Sequence, residues 1–341
     1  MKKSKTWLVL ISLILIIIFR YFSTKPVYKN GDHVRITTTF LGGKIAGLSV
    51  FLPKYPEVSY GDKIVVDGTV ENGKLVNVKI IQKAETKNIF YKFRQNLISF
   101  YQSTLPEPYA GLVGGIVLGA KGGLTSDFWE KVKNTGVAHV VVASGMNVTF
   151  VASFLMGVVT LFLPRKKAIP FVILGIVMYL FISGFDAPLI RAAIMGSVAF
   201  SAQELGRLVT AWRALIFSAL VMLLINPNWI TDIGFILSFV ATGSLLLFER
   251  KIRERLSGVP EFLREGLSTS LAAQIGVTPI LFVTFGYFNI LSPIINALVL
   301  WAVPLIMIFG AIGGILHSKL ILYLSYPFLW WFSSVVTLFS S

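Results

Sequence analysis

Val137–Leu163 reads VAHVVVASGMNVTFVASFLMGVVTLFL, 27 residues of mostly apolar sequence. A bilayer-spanning helix needs about 20 such residues, so this stretch is long enough to cross. Its first half holds His139, Ser144, Gly145 and Asn147. Hydrocarbon offers polar groups no partner, so they must meet one another, backbone or water. Either they line a route across the membrane or they lock helices together. Similar apolar runs recur to the C-terminus, and 55% of the 341 residues are hydrophobic with a mean hydropathy of +0.76. Only 14% are charged, against about a quarter in soluble domains. The fold class is a polytopic α-helical membrane protein, with a small N-terminal extracytoplasmic all-β, OB-like domain argued below.

Several functions are excluded at once. There is no cysteine, hence no disulfide framework or thiolate metal site. His33, His139 and His317 are far apart and give no metal-ligand spacing. No Walker loop and no convincing Ser/His/Asp order is present. The sequence predicts no enzyme, no metal and no cofactor.

The net charge of +15 is spread rather than massed: +5 over residues 1–25, +2 over 26–86, +3 over 87–133 and +5 over the rest. No block is a dense nucleic-acid patch, and much of the excess fits membrane topology. Residues 1–25 combine Lys2, Lys3 and Lys5 with an apolar core and lack a small-residue cleavage site before Ser23-Thr24-Lys25-Pro26. They read as an uncleaved transmembrane anchor with its lysines in the cytoplasm.

Residues 26–86 change character. HVRITTTF, KIAGLSVF, KIVVDGTV and KLVNVKIIQ are strand-like runs separated by glycine- and asparagine-rich turns. Four or five strands in this length suit a small OB-type barrel outside the cell, with or without a ligand. Residues 87–135 read as amphipathic membrane-surface helices. In Asn88–Thr104, Ile89, Phe93, Leu97, Phe100 and Tyr101 share a helical face. Pro106–Ala120 is glycine-rich and short for a span, and Ser126–Asn134 forms a helix capped by Thr125 or Ser126.

Residues 136–341 form the multi-span domain, with spans predicted near 137–163, 168–185, 188–204, 211–225, 229–248, 269–285, 294–315 and 320–338. With the N-terminus inside, Arg165-Lys166-Lys167, Arg207 with Arg213, Arg250–Arg255 and Lys319 all fall on the cytoplasmic side, as the positive-inside rule asks.

Within one continuous helix, His139, Ser144 and Asn147 would span an arc of about 140°. Ser144-Gly145 equally suits a helix break lining a cavity, and Ala143 with Gly145 suits close helix packing. Arg191 lies one turn into its segment, where a permanent charge needs a partner or water. Phosphate is one partner; an ion pair with Asp186, Glu204 or Asp232 is the other. Asp232 opens the helix DIGFILSF, a position favourable to a carboxylate regardless of function. Ser238, Gln274 beside Pro279, and Asn296 before Pro304 add polar groups to nearby spans.

Taken in order, GVAHVVVASGMNV, PLIRAAIM, NPNWITDIGFILSF and AAQIGVTPILFVTFGYFNILSPIINALVLWAVP resemble the motif series of the ComEC competence proteins, and coverage runs over roughly residues 27–338. The resemblance implies a channel in the bacterial cytoplasmic membrane that passes single-stranded DNA inward during natural transformation. His139, Ser144, Gly145, Asn147, Arg191, Asp232, Gly234, Phe235, Ser238, Gln274 and Asn296 match family positions. The implied partners are single-stranded DNA, membrane lipid, a DNA receptor outside and a cytoplasmic helicase or motor. Two departures stand out. The family's glutamine in D-x-G-F-Q is Ile236 here. Members often continue into a metallo-β-lactamase-like domain, whereas this chain stops at Ser341 and reads as a short form relying on a separate nuclease. Two other functions fit the same helices: transport of another solute or envelope polymer, and a non-conducting scaffold.

Overall fold

The computed structural model describes residues 2–24, 28–41, 44–53, 58–120, 122–142, 144–205, 209–285 and 289–340. Lys25, Ala143 and Arg207 lie outside the described residues, as do the side chains of Lys2, Lys3, Lys5 and Glu204. The chain forms two compact units, Ile18–Asn96 and a second made of Met1–Ile17 with Leu97–Ser341. Helix α1 covers Lys2–Thr24.

The first unit is built on five strands: β1 (His33–Thr39), β2 (Lys44–Ile45), β3 (Leu48–Val50), β4 (Lys63–Glu71) and β5 (Lys74–Ala84). They pair in the order β1-β4-β5-β3-β2, antiparallel except for β3 with β5. The run expected as one strand over 44–51 is a small hairpin, because Ala46 and Gly47 both take positive φ, 49° and 86°. Asn72 and Gly73 (φ 48° and 74°) make the matching turn between β4 and β5, the backbone that asparagine-glycine favours in two-residue hairpins. Along β4, Ile64, Val66 and Val70 face inward and Lys63, Val65, Asp67 and Thr69 outward, the period of two that sets a half-buried strand. Ile45, Leu48, Val50 and Leu75 complete the core. Asp62 is buried beside it and ties the end of β5 to the start of β4. Its carboxylate accepts the amides of Ser59 (2.9 Å) and Thr86 (3.2 Å), and Lys83 Nζ lies 3.4 Å away.

Helix α2 (Ile89–Thr104) begins in the first unit and ends in the second. Arg94 is buried with its guanidinium 4.3 Å from the Tyr60 ring centre. Further along, Leu97 and Tyr101 are buried in the second unit.

That second unit is helical: α3 (Tyr109–Leu118), α4 (Ser126–Asn134), α5 (Ala138–Val141), α6 (Gly145–Val159), α7 (Arg165–Ser183), α8 (Ala187–Glu204), α9 (Ala211–Ile225), a 3-10 turn (Pro227–Thr231), α10 (Ile233–Arg255), α11 (Glu261–Phe285), α12 (Ser292–Leu300), α13 (Val303–Ile315), α14 (Lys319–Tyr323) and α15 (Tyr326–Leu338). Among the described residues, five segments are long and apolar enough to cross a membrane: Ala138–Val159, Arg165–Ser183, Ile233–Arg255, Leu263–Thr284 and Lys319–Leu338. A sixth results if α12 and α13, bent by 45°, count as one. The spans expected at 188–204 and 211–225 are helices, α8 and α9, but fall outside that set, and α9 is only 15 residues long. Large apolar side chains face outward, among them Phe171, Leu174 and Met178 on α7 and Ile216 and Phe217 on α9.

Two interior clusters join the helices. Val148, Ala152, Val172, Ile176, Leu189 and Ala193 pack α6, α7 and α8 together. Ala187, Ile190, Met222 and Phe235 join α8, α9 and α10. Helix α3 is enclosed, with every residue from Ala110 to Leu118 buried. It closes on Gly119 at φ 67°, whose amide bonds Gly115 O while that of Ala120 bonds Gly114 O. This left-handed cap favours glycine because a Cβ would clash.

Candidate functional site

The segment Val137–Leu163 is not one helix. Val142 and Ser144 are extended, at ψ 141° and 172°, so α5 ends before α6 begins. His139 and Asn147 therefore stand on different helices, and the shared arc expected of a continuous helix does not form. Leu161–Leu163 also lie past the end of α6.

The break gathers five of the expected residues. Ser144 precedes α6 and its hydroxyl lies 3.2 Å from Asn147 Oδ1. Asn147 is 0% exposed and donates Nδ2–H to the carbonyl of Ile116 at 2.7 Å. Ile116 belongs to the last turn of α3, whose carbonyls have no partner within the helix. The next one, Val117 O, accepts the Tyr179 hydroxyl of α7 at 3.0 Å. Asparagine and tyrosine thus supply the donors that an apolar interior cannot.

Arg191 of α8 reaches across to α10 and donates Nε–H to Ser238 Oγ at 2.6 Å, and its Nη1 lies 3.5 Å from Met195 Sδ. A Cβ on Gly145 would lie 2.9 Å from Arg191 Nη2 and 3.2 Å from the Ala192 methyl. The guanidinium therefore needs glycine at the start of α6 to sit where it does. Arg191 is half-buried while Asn147 is fully buried, so of the two only Arg191 has surface to offer a ligand.

Asp232 precedes α10, and its Oδ1 accepts the Phe235 amide at 3.1 Å. The favourable helix-start reading of this carboxylate is the geometry observed.

The remaining residues lie elsewhere. His139 is exposed, with Nδ1 3.1 Å from Gly136 O. Gln274 donates to the Asn289 carbonyl at 3.3 Å, and Asn289 in turn donates Nδ2–H to Asn134 O at 2.8 Å. Asn296 is buried on α12, with Nδ2 3.3 Å from Ser292 Oγ. Helix α11 runs through Pro279 without ending.

Sequence reasoning missed Tyr179, Asn289 and a wider pattern. Tyr101 donates to Gly310 O (2.9 Å), Tyr323 to Thr104 O (3.1 Å) and Trp331 to Leu298 O (2.8 Å). With Asn147 and Tyr179, these aromatic and amide donors tie helices together through main-chain carbonyls, those of Ile116, Val117, Thr104 and Leu298 in the last turn of a helix and that of Gly310 within α13. No local spacing signals such pairs. The sign available was the presence of residues such as Asn147 and Tyr179 inside apolar segments.

Among the described residues, no group of three His, Asp or Glu side chains has the arrangement to hold a metal ion.

The architecture defines a class: helices of spanning length interrupted by short buried ones, sewn together by polar side chains, with Arg191 half-buried between α8 and α10. A family model described as Competence protein matches residues 116–341. The chain belongs to the ComEC-type competence protein family. It is 28% identical over 258 residues to ComE operon protein 3 of Bacillus subtilis, covering 74% of this chain and 33% of that protein. It is 25% identical over 226 residues to the uncharacterized protein YcaI of Escherichia coli (62% and 29%), and 25% over 202 residues to competence protein ComA of Neisseria gonorrhoeae (55% and 28%). The chain thus spans about a third of the length of the curated relatives it matches. No solved structure matches.

Proposed function

We propose that the chain is a multi-pass protein of the bacterial cytoplasmic membrane whose helical unit forms the route for single-stranded DNA during natural transformation. The observation that carries this reading is Arg191, a cation held inside the helical unit between Ser238 and the start of α6, in a chain of the competence family. Two relatives bear competence names, ComE operon protein 3 and ComA.

Physical chemistry supports the membrane part of the proposal. Outward-facing Phe171, Leu174, Ile216 and Phe217 suit lipid rather than water. Arg165, Lys166 and Lys167 open the first turn of α7, where cations oppose the helix dipole by about 0.3–1 kcal/mol each. Their placement serves topology rather than helix stability, and it supports a reading in which the N-terminus and this loop are cytoplasmic and the β-domain is outside.

A single strand needs positive charge that does not grip. One half-buried guanidinium meets that need better than a dense patch. Asn147 acts one layer back, as the support that fixes α3 against α6. The β-domain is an open OB-type barrel by our reading, its five strands partly closed around one core. The helical unit carries out translocation rather than catalysis, so the driving force comes from a cytoplasmic helicase or motor. A receptor outside completes the set of partners.

The test is deletion of the gene in its host, followed by labelled double-stranded DNA. Loss of DNase-protected cytoplasmic label supports the reading; undiminished protected uptake refutes it.

A further inference from the structure

Helix α3 occupies an odd position for a ten-residue apolar helix. At 1.5 Å per residue it is about 15 Å long, half the hydrocarbon thickness. Yet it is enclosed by α5, α7, α13 and α15, and nine of its ten residues are buried. Its contacts are made close by glycine. A Cβ at Gly115 would lie 2.6 Å from Val141 O, and one at Gly310 of α13 would lie 2.9 Å from Val117 Cγ2. These notches seat Val113 and Val117 of α3 against α13 and let the backbones approach closely. Two directional bonds hold its C-terminal end, Asn147 to Ile116 O and Tyr179 to Val117 O. Asn147 and Tyr179 come from neighbouring helices, α6 and α7, and both bonds end on α3 carbonyls.

We propose that α3 is a plug, closing the route through the helical unit and latched shut by Asn147 and Tyr179. This rests on the reading of the unit as a membrane channel. Opening would withdraw the α3 carboxyl end from both donors at once.

Ion flux tests the plug without any need for DNA import. The full chain is reconstituted in vesicles of phosphatidylethanolamine and phosphatidylglycerol, and potassium efflux is measured. Tyr179→Phe deletes one hydroxyl and little else. It is expected to raise efflux about tenfold, the population shift that follows loss of one buried hydrogen bond. The chain has no cysteine, so Val117→Cys with Gly310→Cys can be added to Tyr179→Phe as a unique pair. Oxidation should return efflux to the wild-type level and reduction should release it again. Wild-type efflux from a folded Tyr179→Phe protein would overturn the plug. So would a raised efflux that the disulfide leaves unchanged, since the leak would then run elsewhere. A latch that behaves as expected in a protein unable to import DNA would keep the plug and discard the DNA route.

Discussion

Arg191 Nε and Ser238 Oγ lie 2.6 Å apart, joining α8 to α10 in the interior of the helical unit. Ser238 is only 9% exposed, so water is a poor substitute for it. Ser238→Ala should cost about 1.5–3 kcal/mol, the range for a hydrogen bond to a charged group. Thermal unfolding in detergent reads the loss. A double-mutant cycle with Arg191→Met should return coupling of similar size, and additivity of the two changes would mean the contact contributes nothing.

Asn147 and the Ile116 carbonyl form the second pair to test. Asn147→Leu fills similar space but leaves the carbonyl without a donor, at about 1–3 kcal/mol. Unfolding temperature should fall, whereas Thr149→Val, at an exposed position of the same helix, should leave it within about ±0.5 kcal/mol.

The glycines divide into two groups by what a methyl would strike. At Gly115 and Gly314 it would meet Val141 O and the Tyr101 hydroxyl, each at 2.6 Å. At Gly157 and Gly196 it would meet nothing within 4 Å. Alanine at the first two should destabilise by about 1–3 kcal/mol through overpacking. At the second two it should stabilise by up to about 1 kcal/mol, by helix propensity. Equal effects at all four positions would contradict the packing described.

The turn between α10 and α11 carries a pH dependence. The hydrogen bond from Arg253, followed by the charge of Arg264, holds the Glu261 carboxyl below its ordinary range. A carboxylate with a depressed folded pKa contributes stability above its unfolded value, about 4.3, and loses it as the pH falls through the lower folded value. Amide exchange around Ser257–Glu261 should therefore quicken, relative to the intrinsic rate, only in acid. Glu261→Gln should remove that pH dependence.

Much of this fold is readable from sequence because two strong periods are written into it. The two-residue alternation of KIVVDGTV places Ile64, Val66 and Val70 in one core, and Asn72-Gly73 fixes the hairpin register. Long apolar runs mark α7, α10 and α11, and Asp232 signals its own helix start. What stays hidden is non-local. The break before α6 is visible as Ser144-Gly145, but the sequence balances it against a continuous helix. The burial of α3 is not legible, since its glycines are equally suited to a loop. The partner of Arg191 is not legible either. Asp186, Glu204 and Asp232 are the carboxylates the sequence offers it, yet Asp232 Oδ1 accepts the Phe235 amide and Ser238 takes the guanidinium.

The central claim is that DNA passes through this helical unit with Arg191 in contact with the route. The direct measurement is DNase-protected uptake of labelled DNA in the deletion strain complemented with wild type, Arg191→Ala or Arg191→Lys at equal membrane abundance. The account predicts loss of protected label with alanine and partial recovery with lysine, which keeps the charge but not the fork that engages Ser238. Uptake with alanine equal to wild type, in a protein that remains folded in the membrane, would contradict it.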